Sequence, residues 1–370
     1  MIIITRSNGI YSSPRIEKYI DFFEKEKIKY LAIGWDRKGE NLYRENTIYF
    51  RKKTGYNIGG FEASYYRILW MLFLMKTFYR YRKDIKMIHA FDLDAAYPAT
   101  LFKFLFHRKI KTIFDVCDWF SSNFDKEKSL IKRIFKIMEK FTIKYSDEVI
   151  ICEPERIRQI PYKLNKPELI VPNTPAFTSY DFLQKDEKFQ FNNPLLVLSY
   201  VGGFSKSRLL DELLDLVQKS KINLLIAGFG EKDIENRCIQ LQSLPNFKYF
   251  GKVKYLDGLN IMYNSDLIYA MYSSKNSNNI YAAPNKYYEA MLLGKPILTN
   301  KGTILTEKII NNGIGYVVSE NYEDIQLVLS SISLKDVRTK GNKAKEMWNK
   351  TYNKYFENFI KNKYVNLISK

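Results

Sequence analysis

The chain has 370 residues, 46% of them hydrophobic, and its formal net charge at pH 7 is +19. This length accommodates two domains of ordinary size, and the hydrophobic content is enough to give each of them a core. With only 3 cysteines and 2 histidines, a disulfide framework and a histidine- or cysteine-rich metal centre are excluded. We therefore expect a protein of a reducing cytoplasm.

No stretch of the sequence has the length of a membrane-spanning helix. The longest apolar run, Ile68 to Met75, is flanked by Arg67 and Lys76 and falls short of the roughly 20 residues that a span needs. The N-terminus lacks the basic and then apolar order of a signal peptide. We expect a cytoplasmic protein that is soluble or lies peripherally on the inner face of the plasma membrane.

The positive charge is concentrated in the first half of the chain. Residues 1–180 hold 33 Lys and Arg against 21 Asp and Glu, whereas the remainder holds 26 against 19. This surplus favours an anionic partner, either a phospholipid surface or a polyphosphate, although a solubilising surface has the same composition. A nucleic-acid partner is not expected, because the charge forms no recognisable binding motif.

The first half alternates short apolar runs with longer segments of helical periodicity. The predicted strands cover 2–4, 30–33, 87–90, 112–116, 149–152 and 169–171, and the predicted helices cover 15–27, 61–81 and 126–145. Strands that alternate with helices in this way predict a parallel sheet covered by helices on both faces.

The predicted helix 126–145 combines an apolar stripe with many lysines. The stripe consists of Leu130, Ile134, Met138, Phe141 and Tyr145. This pattern is typical of a helix that lies in a membrane interface. A core helix with a lysine-rich outer face has the same pattern, and both interpretations stay open.

Asp92 and Asp94 directly follow the predicted strand 87–90. Two carboxylates at this spacing can chelate a divalent ion that holds a diphosphate. They can equally cap the next helix or contact an acceptor substrate. We predict acceptor-side catalytic roles for both and no metal site, and we expect His89, inside the strand, to be a core residue.

The pattern restarts after an aperiodic linker at 176–194. Predicted strands follow at 196–201, 222–227, 247–250, 267–272, 297–299 and 315–318, and a long helical segment occupies 335–370. Gly202 and Gly203 are predicted to form a turn directly after the first of these strands. We therefore predict one domain over 1–180 and a second domain over 181–345. A final helix over 346–370 is expected to cross back onto the first domain.

Three loops of the second domain carry residues suited to a nucleoside diphosphate. Glycines let a phosphate approach the backbone, cations neutralise it, and a helix N-terminus offers N–H donors. The predicted donor-binding residues are Gly202, Gly203, Lys206, Arg208, Gly228, Asn285, Lys286 and Glu289. Glu289 is placed to accept from ribose hydroxyls, although a carboxylate that only complements the helix dipole is the alternative.

Several segments together resemble a known family. YVGGFSKSRLLDELL, LLIAGFG and APNKYYEAMLLGKPILTN look like the nucleotide-sugar half of retaining GT-B glycosyltransferases with a Glu-x(7)-Glu motif. IHAFDLDAAYPA resembles the acceptor half of bacterial members that build surface polysaccharides. The resemblance implies an α/β fold of two Rossmann-like, doubly wound parallel-sheet domains that face each other across a cleft. It also implies that the N-terminal domain over 1–180 binds the acceptor and that the C-terminal domain over 181–345 binds the nucleotide sugar.

The resemblance also implies residue roles. Glu289 matches the second Glu of the motif, which holds the ribose, whereas Tyr281 stands at the first Glu and Gly203 at an Arg of the family. Lys206 and Arg208 remain as the catalytic cations for the departing diphosphate. The family generally needs no metal for this step, and no cofactor is implied.

The implied reaction is sugar transfer with retained configuration from a UDP-, GDP- or dTDP-sugar. The implied acceptor is a lipid-linked saccharide in capsule, O-antigen or exopolysaccharide synthesis, and the basic first domain would contact an anionic membrane surface. A soluble or protein acceptor is the first alternative. The second is a nucleotide-binding protein without catalysis, because Tyr281 and Gly203 replace two functional residues of the family.

Overall fold

The protein is described by a computed structural model that covers residues 1–11, 13–54, 61–123, 130–160, 167–175 and 180–369. It divides into two compact units. The first comprises Met1–Pro172 together with Glu357–Lys370, and the second comprises Asn173–Phe356. None of the helices within the described ranges is both long and apolar enough to cross a membrane.

The first unit is built on a seven-stranded parallel sheet. Its strands are β1 (Ile2–Arg6), β2 (Tyr30–Trp35), β3 (Thr47–Phe50), β4 (Met87–Phe91), β5 (Lys111–Val116), β6 (Glu148–Ile151) and β7 (Leu169–Ile170). Their order is β3-β2-β1-β4-β5-β6-β7, so the direction of winding reverses between β1 and β4. Such a reversal opens a crevice at the carboxyl ends of the two strands. The sequence missed the edge strand β3, which is short and follows a polar stretch.

Four helices cover this sheet: α1 (Pro14–Lys25), α2 (Phe61–Arg80), α3 (Leu93–Phe106) and α4 (Leu130–Tyr145). Pro14 occupies the first turn of α1, where its missing N–H costs no hydrogen bond. Helix α3 packs against both α2 and α4. The beginning of the predicted helix 126–145 lies outside the described residues.

The second unit repeats the design with six parallel strands. They are β8 (Val197–Phe204), β9 (Asn223–Gly230), β10 (Phe247–Tyr249), β11 (Leu267–Tyr269), β12 (Ile297–Asn300) and β13 (Gly315–Val318), in the order β10-β9-β8-β11-β12-β13. Its helices are α5 (Leu210–Gln218), α6 (Lys232–Leu241), α7 (Tyr255–Tyr263), α8 (Ser277–Ile280), α9 (Asn285–Leu293), α10 (Ile304–Asn312), α11 (Tyr322–Ser331) and α12 (Leu334–Met347). The winding reverses between β8 and β11. Both units therefore have the predicted doubly wound, parallel-sheet architecture.

The C-terminal segment is helical, as predicted for 335–370, but it is not one regular α-helix. After α12, π-helical turns at Trp348–Tyr352 and Ile360–Tyr364 alternate with α13 (Tyr355–Phe359) and α14 (Val365–Ser369). The Asn353 N–H, for example, donates to the Trp348 carbonyl oxygen five residues back. The chain rejoins the first unit at Glu357, whereas the sequence placed the beginning of this crossing segment at 346.

Tyr364 anchors the C-terminal segment in the core of the first unit. Its ring is fully buried and lies 5.1 Å from Tyr19 and 6.2 Å from Phe23 on α1. Its hydroxyl lies 2.8 Å from Nδ1 of His89, whose Nε2 lies 3.3 Å from Asp115. His89 is thus a core residue as expected, and burial lowers its pKa even though Asp115 acts in the opposite direction.

Replacing Tyr364 with Ala should lower the free energy of unfolding of the first unit by about 3–5 kcal/mol, because a buried aromatic side chain leaves a cavity. Tyr364→Phe should cost about 1–3 kcal/mol, because it leaves a buried polar atom of His89 without its partner. Urea unfolding followed by tryptophan fluorescence measures both changes.

The matched control for this prediction is Tyr43→Ala, at a tyrosine that is 89% exposed. It should change the free energy by no more than about 0.5 kcal/mol. If Tyr364→Ala were as stable as the control, the ring would not anchor the C-terminal segment.

Candidate donor-binding site

The second unit brings several predicted residues to the reversal point of its sheet. Strands β8 and β11 are neighbours there, and the loop after β11 leads through the short α8 to the N-terminus of α9. Pro284 precedes α9 as its N-cap and offers no side-chain cap. The N–H of Tyr287 donates to the Pro284 carbonyl oxygen, so the first two N–H groups of α9, those of Asn285 and Lys286, are the ones available to an anion.

Gly202 and Gly203 extend β8 instead of forming the predicted turn. Gly202 pairs with Gly228 at the end of β9, and a Cβ on Gly228 would overlap the Gly202 carbonyl oxygen. Glycine at 228 therefore lets the two strands stay paired to their ends. Gly203 is exposed and has no heavy atom within 4 Å of its Cβ position, which leaves open space above the end of β8.

Arg208 lies over the ring of Tyr272, with its Cζ 4.2 Å from the ring centroid. Its Nη1 is buried without a hydrogen-bond partner. The following residue, Leu209, adopts the left-handed conformation with φ of 51° and is the N-cap of α5. A strained, non-glycine residue next to an unpaired guanidinium nitrogen is a feature typical of a functional site.

Asn300 and Glu320 hold the loop that carries Tyr272. Asn300 bonds the Tyr272 N–H at 2.6 Å and its carbonyl oxygen at 2.9 Å. Glu320 accepts from the Ser273 hydroxyl at 2.7 Å and the Ser274 N–H at 2.6 Å. Burial opposes ionisation of Glu320, but these hydrogen bonds outweigh it and lower its pKa. The sequence analysis missed both residues, because no local motif marks a side chain that bonds a distant loop.

Lys286 and Glu289 form the other side of the cluster. Nζ of Lys286 lies 4.9 Å above the ring of Tyr200, and a Cβ on Gly202 would come within 2.8 Å of it. Burial lowers the pKa of Lys286 to about 8, although Glu289 raises it; Arg208 lowers it further. Burial also raises the pKa of Glu289, against the effect of Lys286 and a hydrogen bond from Tyr255.

Lys206 and Asn285 are placed differently from these residues. Lys206 is 67% exposed and its Nζ lies 3.9 Å from Asp233 on α6, while its N–H donates to Glu231. Asn285 is the exposed first residue of α9. The cations that gather at the reversal point are thus Arg208 and Lys286. Tyr281, at the position of the family's first Glu, directly follows α8.

Asp92 lies at the reversal point of the first sheet, in a strained conformation with φ of 64° and ψ of 164°. It is the N-cap residue of α3, but its carboxylate does not cap the helix. Instead it accepts the N–H groups of Cys117 and Asp118 and pairs with Arg6 at 3.3 Å. Burial raises its pKa to about 6, which Arg6 opposes.

Asp94 forms a buried ion pair with Arg67 at 3.3 Å. Helix capping, one of the interpretations of the aspartate pair, is therefore wrong for the Asp92 side chain, and Asp94 is engaged with α2. The described residues contain no group of three or more His, Cys, Asp or Glu that could hold a metal ion.

Comparison with known proteins identifies the second unit. Residues 181–354 match the model of the family described as glycosyl transferases group 1. The match covers most of the second unit, Asn173–Phe356. No curated protein is significantly similar to the chain in sequence.

Solved structures share the architecture of the whole chain. The sucrose-phosphate synthase of Thermosynechococcus elongatus superposes with a TM-score of 0.69 at 14% identity, over 100% of this chain and 99% of that chain. WaaG, a glycosyltransferase involved in lipopolysaccharide biosynthesis, superposes with a TM-score of 0.66 at 13% identity, over 96% of this chain and 98% of that chain. Anabaena HepE in complex with UDP superposes with a TM-score of 0.64 at 14% identity, over 94% of this chain and 93% of that chain. The fold is GT-B, and the family match together with the fold supports a GT-B glycosyltransferase.

In the unliganded protein, Lys286 should lose its charge as the pH rises through about 8. Glu289→Gln removes the carboxylate that raises this pKa and should lower it further, whereas Arg208→Gln removes a repelling cation and should raise it. NMR of the lysine Cε resonances, assigned through Lys286→Arg, measures the titration.

Lys295 is the internal control. Burial lowers its pKa to about 8 as well, but its charged neighbours are Lys185 and Asp266, so neither substitution should move it. If Lys286 titrated identically in all three proteins, the three side chains would not form one electrostatic cluster.

Proposed function

We propose that the protein transfers a sugar, with retained anomeric configuration, from a nucleoside diphosphate sugar to a saccharide acceptor. The observation that carries the proposal is the gathering of Arg208, Lys286 and Glu289 at the reversal point of a glycosyl transferases group 1 domain. Two cations beside a helix N-terminus suit a diphosphate, and a buried carboxylate one turn later suits a ribose. The fold neighbour HepE was solved with UDP, which makes UDP the first nucleotide to test.

In the proposed reaction, the bond between the anomeric carbon and the β-phosphate oxygen breaks, and the acceptor oxygen bonds to the same carbon. Negative charge develops on the departing diphosphate. Arg208, Lys286 and the free N–H groups of α9 stabilise this charge without reorganising. The leaving phosphate takes up the proton of the acceptor hydroxyl. Asp92, whose pKa is about 6, is the candidate catalytic residue on the acceptor side. Asp94 is less suited to this role because Arg67 neutralises it.

We further propose that the acceptor is a lipid-linked saccharide and that the first unit docks on an anionic membrane. Support comes from an apolar face on α2, α3 and α4. Its exposed members are Tyr65, Ile68, Leu72, Tyr79, Phe104, Leu105, Phe106, Leu130, Ile131, Ile134, Ile137 and Tyr145. Ring contacts join the helices, since Tyr79 lies 5.8 Å from Phe106, and Phe104 lies 5.2 Å from Tyr145.

The exposure of α4 favours the interfacial interpretation of this helix. Its buried side chains are Phe135, Glu139, Thr142 and Ile143. Of the apolar stripe predicted from the sequence, Met138 packs against the core, whereas Leu130, Ile134 and Tyr145 are exposed. Arg133, Lys140 and Lys144 are exposed on the same helix. Apolar side chains that insert and cations that meet anionic headgroups are the two contributions an interfacial helix needs.

Glu289→Gln should weaken UDP binding by roughly 10- to 100-fold, because a charged hydrogen bond to a ribose hydroxyl contributes about 1.5–3 kcal/mol. Glu323→Gln is the matched control: Glu323 lies in the first turn of α11 and is exposed. Calorimetry with UDP, GDP and dTDP measures the affinities.

Turnover decides between an enzyme and a binding protein. The enzyme should release the nucleoside diphosphate from its sugar nucleotide when a lipid-linked saccharide is present. If no nucleotide binds more weakly to Glu289→Gln than to the control, the ribose role is wrong. If no sugar nucleotide is turned over with lipid-linked, soluble or protein acceptors, the protein binds nucleotides without catalysis.

The protein should sediment with vesicles that contain phosphatidylglycerol and remain in solution with pure phosphatidylcholine, most clearly at low salt. Ile134→Ser combined with Ile137→Ser should reduce the bound fraction several-fold, because both side chains are exposed and contribute to the apolar face. Leu327→Ser, at a leucine of α11 that is 70% exposed, is the matched control. Equal binding by the two variants would contradict the membrane role of α4.

A further inference from the structure

The two cations of the candidate site rest on aromatic rings. Arg208 lies over Tyr272 at 4.2 Å, and Lys286 lies over Tyr200 at 4.9 Å. Within the described part of the chain, neither cation takes part in an ion pair. Arg237 in the same unit shows the contrast, because it bonds Asp211 at 2.7 Å and Asp215 at 2.6 Å.

An aromatic face and a carboxylate have different consequences for a cation. A carboxylate uses the N–H donors and cancels the charge, so an incoming phosphate must compete with it. The face of a ring attracts the cation through its quadrupole while the N–H donors at the edge stay free. Nη1 of Arg208 is such a donor, buried and without a partner, and a buried donor of this kind gains a full hydrogen bond when an anion arrives.

Both rings are themselves held in place. Tyr200 is 2% exposed, and its hydroxyl donates to the Gly203 carbonyl oxygen at 2.6 Å. The Tyr272 backbone is bonded on both sides by Asn300, and the next residue, Ser273, is bonded to Glu320 and to the Ser207 carbonyl oxygen. A chain of contacts thus fixes each ring, and each ring fixes a cation.

We propose that Tyr272 and Tyr200 are positioning residues, which orient Arg208 and Lys286 for a diphosphate without neutralising them. This inference rests on the proposed function, because the ligand is the diphosphate of the sugar nucleotide. The inference adds Tyr272 and Tyr200 to the residues of the donor site, and these two rings contact the cations but not the reacting atoms. In the wild-type protein the cations are then already in place before the nucleotide binds, so less ordering accompanies binding.

The test compares UDP with uridine, which lacks the diphosphate, in four variants. Tyr272→Phe keeps the ring under Arg208 and should bind UDP like the wild type, whereas Tyr272→Leu should bind it about 3- to 30-fold more weakly. Tyr200→Phe removes only the hydroxyl that bonds Gly203, and Tyr200→Leu also removes the ring under Lys286. The affinity for uridine should stay unchanged in all four, which a general loss of structure would not produce.

A double-mutant cycle connects each ring to its cation. In an Arg208→Gln background, Tyr272→Leu should have no further effect on UDP affinity, because the cation that it positions is gone. Tyr322→Leu is the matched control: its ring lies 4.1 Å from Nζ of Lys219 in another cation–ring pair, and its loss should not alter UDP binding. If thermal unfolding shows that Tyr272→Leu is unfolded, Tyr272→Met takes its place.

The outcomes separate this inference from the proposed function. If UDP binds the wild type more tightly than uridine and Tyr272→Leu preserves that difference, the positioning role is wrong and the donor site stands. The same conclusion follows if the effects of Tyr272→Leu and Arg208→Gln are additive. If UDP, GDP and dTDP bind no better than their nucleosides, the diphosphate site itself is wrong, and both proposals fail.

Discussion

The candidate site depends on keeping positive charge in a partly buried position without a neutralising carboxylate. Burial disfavours the charged form of Lys286 and lowers its pKa to about 8, although Glu289 acts against this shift. Arg208 adds a second positive charge to the same cluster. Buried positive charge without a counterion destabilises the empty site. A bound anion neutralises this charge, so anion binding is favourable. The aromatic rings, the glycine-lined strand ends and the hydrogen bonds of Glu320 all maintain this arrangement.

The architecture of both units could be predicted from the sequence because periodicity is a local property. β-Branched runs, turn residues and helical spacing indicated twelve of the thirteen strands in the described part of the chain. The segment around Glu289 predicted a helix at a strand end, which α9 confirms. Asn300, Glu320, Tyr200 and Tyr272 could not be identified in this way. Each acts through a partner that the fold brings close, and no spacing along the chain records such a contact.

The details that the sequence missed have physical causes. Gly202 and Gly203 looked like a turn, but glycine also permits the close strand pairing that extends β8. The stripe on α4 was read correctly as apolar, yet α4 buries Phe135 and Ile143 on another side. Periodicity in the sequence shows that a helix has an apolar face, but only the packing shows which face of the helix is buried against the core.

From charge composition alone, the first unit was the expected place for anion binding. The ion pairs in the structure change this expectation. At its sheet edge four arginines are paired: Arg6 with Asp92, Arg15 with Asp115, Arg67 with Asp94 and Arg156 with Asp118. A paired arginine has little charge left for a phosphate. The second unit is less basic overall, but its Arg208 and Lys286 rest on rings and keep their charge. The surplus of the first unit lies instead on exposed helices such as α4, where it suits a surface rather than a pocket. Pairing therefore distinguishes the proposed diphosphate pocket from the proposed membrane-facing surface, which net charge alone cannot do.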